Sequence, residues 1–328
     1  MEKIITDFLG QFKIGRKQSF KNLSMYPLLS NYRITFNYFT LDEALDKKTI
    51  EILEVAKEGS VPELRVVNKS SKMVLILDGE ELVGAKQNRI VNTTILVPAD
   101  STIIIPVSCV EQGRWSYNSP SFSTEDRMMS SNLRAMKSQH VNCSVREEGK
   151  FQTDQGALWN EISEKAQRHD AISPSMAMSE IYKKEKLLLK EYIDGFRNSE
   201  SQIGAVFMIN GKVTGMDCFG KPGTFLSVFK KLIGSYALDA IDWFKEGKEF
   251  KVLKSEVTKF IKEASIASIE TQESVGEGID CRLETKKITG FSLCHEDQIP
   301  HMSVFVKAGK EKSNSRMQRF SNRRQYTI

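Results

Sequence analysis

The chain is 328 residues long, 40% hydrophobic and 27% charged, with a formal net charge of +5. This suits a soluble globular protein with a substantial core, in one large domain or two moderate ones. No apolar run approaches the ~20 residues that span a bilayer. The N-terminal stretch MEKIITDFLGQFKIGRKQSF lacks the uninterrupted apolar core and small-residue cleavage site of a secretory signal. Five cysteines (Cys109, Cys143, Cys218, Cys281, Cys294) make an odd number without paired spacing, which reads as reduced thiols and predicts a cytoplasmic protein. The charge is local: Ala308–Ile328 holds six basic residues and one acidic residue, the whole of the excess. Residues 1–307 are formally neutral and give no global reason to expect nucleic-acid binding.

In chain order, residues 1–30 lead in with apolar anchors such as Ile4, Phe8, Leu9 and Phe12. Residues 32–39, YRITFNYF, alternate polar and apolar side chains as a half-buried strand does. Thr40, with Glu43 three residues on, predicts a helix N-terminus closed by a capping box. Leu64–Val67, Met73–Leu77, Ile90–Val97 and Thr102–Val107 are rich in β-branched residues, with turns at Asp78-Gly79 and Pro98–Ser101, so 60–110 is predicted as an antiparallel meander. Helices are predicted over Thr124–Val145, capped at Ser123 or Thr124, over Gln155–His169 and over Met176–Phe196. Ile203–Ile209 and Lys212–Met216 flank Asn210-Gly211, a strong hairpin signal. Pro222–Phe244 keeps apolar residues at helical spacing over its whole length and reads as a core helix. A helix at 253–264 and strands at 266–272, 278–285, 288–294 and 299–306 complete the pattern. MVLILDGEELVG (73–84) faintly echoes AVFMINGKVTG (205–215), a likeness that hairpins reach without duplication.

The stretch Val74–Trp115 gathers the most chemistry, because dense polar clusters sit where its strands end. Glu80 and Glu81 follow a tight turn, and Glu111 follows the apolar run Ile103–Val110. Two carboxylates brought together split their pKa values and serve as acid and base, as in glycosidic cleavage. The plainer alternative makes one of Glu80 and Glu81 a solvated hairpin residue. Lys86-Gln87-Asn88-Arg89 packs a cation, two amides and a guanidinium beside Gly84, a set suited to phosphate, sugar hydroxyls and bases. A polar strand edge that deters aggregation uses the same residues. Arg114-Trp115 has the composition of a stacking or phosphate-clamping tip. Equally, Trp115 closes a core edge while Arg114 pairs with Glu111.

Cys109 would be a nucleophile if Arg114 or Lys86 depressed its pKa, and is otherwise a small core residue. Arg282, after SVGEGID, and His301, in the terminal strand, rank second. His140, His169, His295 and His301 show no metal-ligand spacing with one another or with the cysteines, so no metal is expected. No P-loop, GxGxxG, GxSxG or HExxH motif is present, and the residues name no cofactor. In the tail, SRMQRFSNRRQY interleaves arginines with Phe320 and Tyr326, a composition that grips RNA or an acidic surface. A solvated tail without such a role is the alternative.

DGEELVGAKQNR, followed by LVPA and PVSCVEQGRW, resembles the ARG and rhodanese-phosphatase-superfamily-associated protein domain family, as do YFTLDEAL (38–45) and GFSLCHEDQIPHMSVF (290–305). The positions that carry the likeness include Gly79, Glu80, Gly84, Lys86–Arg89, Cys109, Glu111 and Gly113–Trp115. The family name records association with ADP-ribosylglycohydrolases and rhodanese-like phosphatases. The resemblance therefore implies a role near ADP-ribose, NAD-derived nucleotides or phosphorylated nucleosides in stress or phage conflict, and brings no established reaction. The basic tail lies outside the family pattern.

The expected fold is α+β, with antiparallel sheet elements from the N- and C-terminal thirds packed against a central group of helices. It is read as one composite domain over 1–306 with a basic disordered tail over 307–328, or as two loosely linked domains. The expected function is binding, and processing, of an ADP-ribose-like or other phosphorylated nucleoside. In that reading Glu111 and Glu80 are acid and base, and Lys86, Gln87, Asn88, Arg89, Arg114 and Trp115 hold the ligand. The alternatives are a non-catalytic ligand sensor with a protein partner and a scaffold whose polar clusters form an interface. Contact with nucleic acid is expected only through the tail, and none with a membrane.

Overall fold

The computed structural model describes residues 1–56, 59–60 and 62–307, so the expectation for the tail lies outside the described residues. The chain opens with α1 (Glu2–Gly10) and short strands β1 (Lys13–Ile14), β2 (Gln18–Phe20) and β3 (Leu23–Leu29). β4 (Tyr38–Thr40) runs into α2 (Leu41–Asp46), where the capping box forms: Thr40 N donates to Glu43 Oε2 at 2.7 Å and Glu43 N to Thr40 Oγ1 at 3.4 Å. Eight strands precede the helical centre: β5 (Ile50–Glu54), β6 (Glu63–Asn68), β7 (Met73–Ile76), β8 (Glu80–Gly84), β9 (Arg89–Val91), β10 (Ile95–Val97), β11 (Ser101–Cys109) and β12 (Phe122–Met128). The centre is α3 (Ser131–Glu148), α4 (Gln155–Arg168), α5 (Ser179–Lys184) and α6 (Lys186–Asp194). Then come β13 (Gln202–Ile209), β14 (Lys212–Phe219), α7 (Pro222–Asp242) and α8 (Lys254–Ser265). β15 (Ser268–Glu273), β16 (Ile279–Glu284), β17 (Ile288–His295) and β18 (Gln298–Val306) close the fold.

The fold is α+β, as the sequence predicts. The largest sheet has nine strands, in the order β1-β3-β13-β14-β18-β17-β16-β15 with β2 beside β3, and so joins both ends of the chain. The β13–β14 turn takes Asn210 and Gly211 to φ 51° and 75°, the left-handed pair that a tight hairpin requires. Every residue of β13 is buried, because both faces of this sheet are covered. Ala205, Phe207 and Ile209 point into a core shared with α6 and α7, while Val206 and Met208 point into one shared with α1 and α8. A third core, with Ile52, Val66, Ile76, Val91 and Ile105, lies between the two smaller sheets. Among the described residues no helix is long and apolar enough to cross a membrane.

Four expectations are corrected. Residues 60–110 are not a simple meander: β7 pairs with β10 and, in parallel, with β4, whereas β8, β9, β11 and β6 belong to a six-stranded sheet. Asp78-Gly79 and Asn92–Thr94 pass the chain from one sheet to the other, so β7 and β8 do not pair and the echo of the later hairpin is not a duplicated unit. The strand expected at 32–39 begins only at Tyr38. Before it the backbone bonds elsewhere, Ile34 N to Gly220 O and Thr35 N to Gln298 Oε1. Phe122–Met128 is a strand, because β8 offers it a pairing edge, and the helix starts after Ser130. The helix expected over Met176–Phe196 is two, divided at Glu185.

Candidate functional site

The connection between β8 and β9 builds the site. Gly84 has φ +127°, and a Cβ there would stand 2.4 Å from Ser119 Oγ and 2.8 Å from the Ser121 carbonyl, so only glycine fits. The connection that follows holds Lys86, Gln87 and Asn88 under the end of β11, where Cys109 lies opposite Arg89 in register. Glu111 organises this layer: its Oε2 accepts from Asn88 N at 3.1 Å and from Arg114 Nη2 at 2.6 Å. Gln87 Nε2 donates to the Glu111 carbonyl at 3.1 Å, and Gln87 Oε1 accepts from Arg89 Nη1 at 2.8 Å. Asn88 Nδ2 donates to Glu81 Oε1 at 3.3 Å, and Glu81 is paired with Arg127.

Trp115 and Tyr117 form the roof. Lys86 Nζ lies 5.2 Å from the centre of each ring, and Arg89 Cζ lies 5.6 Å from that of Trp115. Trp115 is 47% exposed, whereas Arg89 beneath it is fully buried. Among the described residues, Arg89 Nε and Nη2 find no hydrogen-bond acceptor, and Glu54 Oε2 finds no donor. Glu54, at the end of β5, accepts from Lys86 N at 3.2 Å through its other oxygen. Its charge favours the Arg89 cation, whose pKa is nonetheless lowered, first by burial. Sequence reading passes over Glu54 because only the pairing of β5 with β6, and of β6 with β11, brings it here.

The structure thus groups Lys86, Gln87, Asn88, Arg89, Cys109, Glu111, Arg114 and Trp115. Two of these do not suit the roles expected of them. Arg114 spends its guanidinium on the chain itself, donating to the Ala85 carbonyl at 2.7 Å and the Ser116 carbonyl at 2.9 Å as well as to Glu111. Burial pushes the Cys109 thiol up rather than down, against the activated nucleophile.

Glu80, Arg282 and His301 stand apart. The pleat of β8 sends Glu80 and Glu81 to opposite faces. Glu81 joins the site, while Glu80 accepts from Leu77 N at 2.9 Å and from Lys231 Nζ at 3.1 Å. Burial raises the pKa of both carboxyls, against the pull of Lys231 on Glu80 and of Arg127 on Glu81. Arg282 is clasped by Asp280 at 2.7 Å and Thr93 at 2.6 Å. His301 Nδ1 shares a 2.7 Å hydrogen bond with Thr94 Oγ1, and burial lowers its pKa.

Thr94 belongs to a buried network that sequence reading misses. Asp78 N donates to Thr94 Oγ1 at 3.0 Å, and the Asp78 carboxylate pairs with Lys137 and, at 3.6 Å, with Arg134. Arg134 also donates to Asp217 Oδ2 at 3.2 Å, which accepts from Tyr236 Oη at 2.9 Å. Arg134 holds the Asp217 carboxyl well below the ordinary range, and burial lowers Lys137 to about 8. This network ties the nine-stranded sheet to the turns between the smaller sheets through α3.

Among the described residues no group of three or more His, Cys, Asp or Glu is placed to hold a metal ion. No curated protein and no solved structure matches the chain. The model of the ARG and Rhodanese-Phosphatase-superfamily-associated Protein domain matches residues 11–305, and the chain belongs to that family.

Proposed function

We propose that the chain binds a phosphorylated nucleoside of the ADP-ribose type between the Arg89 guanidinium and the Trp115–Tyr117 roof. The observation that carries this reading is Arg89, fully buried yet with two donors unmatched among the described residues, beneath an exposed indole. A buried donor without an acceptor costs about 1–3 kcal/mol. A phosphate oxygen arriving past Trp115 recovers that cost, and the fork of an arginine matches phosphate geometry. The indole and phenol faces suit a base or a ribose. The family's association with rhodanese-phosphatase-superfamily proteins supports the same ligand class.

A specific observation favours the sensor over the enzyme. Glu111 and Glu81 are both engaged, by Arg114 with Asn88 and by Arg127 with Asn88, and Glu80 faces Lys231 instead. Among the described residues around Arg89, no carboxylate pair is left to divide acid and base work between its members; Glu54 keeps one oxygen unmatched there. A cytoplasmic setting is part of this reading, since all five cysteines are free thiols.

The test is a thermal-shift titration of wild type and Arg89→Ala against ADP-ribose, NAD, nucleoside phosphates and inorganic phosphate. A ligand at ~100 times its dissociation constant stabilises by about 2.7 kcal/mol. One nucleotide should stabilise wild type and leave the variant unmoved. Equal shifts in both, or none in wild type, would sink the proposal. Phosphorus NMR of the mixture then separates sensor from enzyme, because turnover changes the ligand's resonances.

A further inference from the structure

Two opposite charges lie beneath Trp115 without meeting. Arg89 Nε, Arg89 Nη2 and Glu54 Oε2 are buried, and among the described residues none of the three has a hydrogen-bond partner, one another included. Glu54 is held at the end of β5 through its other oxygen, which accepts from Lys86 N at 3.2 Å. Elsewhere the fold closes such a gap: Asp78 Oδ2 and Arg134 Nε face each other at 3.6 Å. Gly59 fixes the position of the unmatched oxygen. At φ +78°, it comes so close that a Cβ on it would stand 3.4 Å from Glu54 Oε2, 3.2 Å from Trp115 Cζ2 and 3.1 Å from Lys86 Cδ. Glu54 Oε2 therefore lies beside the edge of the same indole whose ring centre is 5.6 Å from Arg89 Cζ.

A phosphate oxygen meets the donors of Arg89, but it offers an ionised carboxylate nothing except repulsion. The group that satisfies both residues carries an anionic acceptor and, close to it, a hydrogen-bond donor. In a nucleotide the sugar stands between base and phosphate, so its hydroxyls lie near the phosphate, whereas exocyclic amines project from the far edge of the base. We infer that Glu54 accepts a hydrogen bond from a ribose hydroxyl of the ligand, so that the site takes ribonucleotides and rejects nucleotides whose sugar lacks those hydroxyls. This inference rests on the reading of Arg89 and Trp115 as a nucleotide site and adds the sugar that the site selects. Acceptance of a ribose hydroxyl by a carboxylate is a general device of nucleotide recognition. Selection follows from burial, because a sugar without the hydroxyl leaves the carboxylate unpartnered and brings a phosphate beside it.

The experiment is isothermal titration calorimetry with ADP and dideoxy-ADP, two probes of equal charge that differ only in the sugar hydroxyls. Wild type, Glu54→Ala, Glu54→Gln and Arg89→Ala are compared. Wild type should bind ADP roughly 10- to 100-fold more tightly than dideoxy-ADP, the worth of one hydrogen bond to a charged group. Glu54→Ala should bring the two affinities together, chiefly by weakening ADP. Glu54→Gln keeps the size of the side chain and an oxygen for Lys86 N, so its preference should fall between the two. If the alanine variant does not fold, the glutamine variant carries the test. Equal affinities in wild type overturn the inference. So does a wild-type preference retained in the folded Glu54 variants, since a merely structural glutamate weakens both probes alike. If Arg89→Ala still abolishes binding in those cases, the nucleotide site stands and only its choice of sugar falls. Absence of ADP binding to wild type, or binding that Arg89→Ala spares, overturns the underlying reading and this inference with it.

Discussion

The cluster of Asp78, Arg134, Lys137 and Asp217 and the cluster of Glu54, Lys86, Arg89 and Trp115 are both built from cations and carboxylates withdrawn from water. In the first, every charge faces an opposite charge: even Asp78 Oδ2 and Arg134 Nε, which make no hydrogen bond, face each other at 3.6 Å. In the second, Arg89 lies under an exposed ring with two donors unmatched among the described residues. Burial of charge is therefore no mark of function in this molecule. What separates the two regions is whether the hydrogen-bonding capacity is used and whether a ligand can reach it. The sealed network holds sheets together, and the roofed cluster leaves two Arg89 donors unmatched among the described residues.

The largest expected effect is in the sealed network. Asp217→Ala leaves Arg134 buried with Asp78 alone, and should cost ~3–5 kcal/mol in urea unfolding. A loss below ~1 kcal/mol would show that this region is not the clasp described. Next comes pH. Lys137 is lowered to about 8 from its ordinary 10.5, so between those values the unfolded chain binds more protons than the folded one. Wild type should therefore gain stability relative to Lys137→Met as pH rises from 8 to 10.5. A flat difference across that window would remove the burial argument.

Glu80 and Glu111 sharpen the contrast from the other side. Glu80→Gln should cost about 1–3 kcal/mol through Lys231 and leave nucleotide stabilisation unchanged. Glu111→Gln should weaken nucleotide stabilisation, because it releases Asn88 and Arg114. If the two variants exchange these outcomes, the site lies on the Glu80 face of β8. Trp115→Ala is the smallest test of stability: the ring is half exposed and should cost no more than ~1 kcal/mol in the free protein. Its nucleotide affinity should nevertheless fall by ~1–3 kcal/mol if a base stacks there.

Much of this was legible where the physics is local. The Thr40–Glu43 box needs residues three apart, the Asn210-Gly211 turn needs two, and α7 announces itself through repeated apolar spacing. The cluster Lys86–Arg89 with Glu111–Trp115 was legible for a related reason: each half is a short run at a strand end. What could not be read was the partner of each charge. Arg134 meets Asp217 across 83 positions, and Glu80 meets Lys231 across 151. The strand at Phe122–Met128 was hidden likewise, since its stability comes from β8 and not from its own pattern.

By itself, then, the sequence determined the α+β class, the hairpin and helices that local spacing dictates, and which residue types gather around β8, β9 and β11. Only the tertiary structure decided which carboxylate turns toward Asn88 and which toward Lys231, and that Arg114 braces the chain while Arg89 has donors unmatched among the described residues. It also brought Glu54 to the site. Side-chain identity and short-range periodicity are properties of the string. Burial and hydrogen-bond partnership are set by strands and helices that meet from distant parts of the chain, and those decide which charges are matched and which are not.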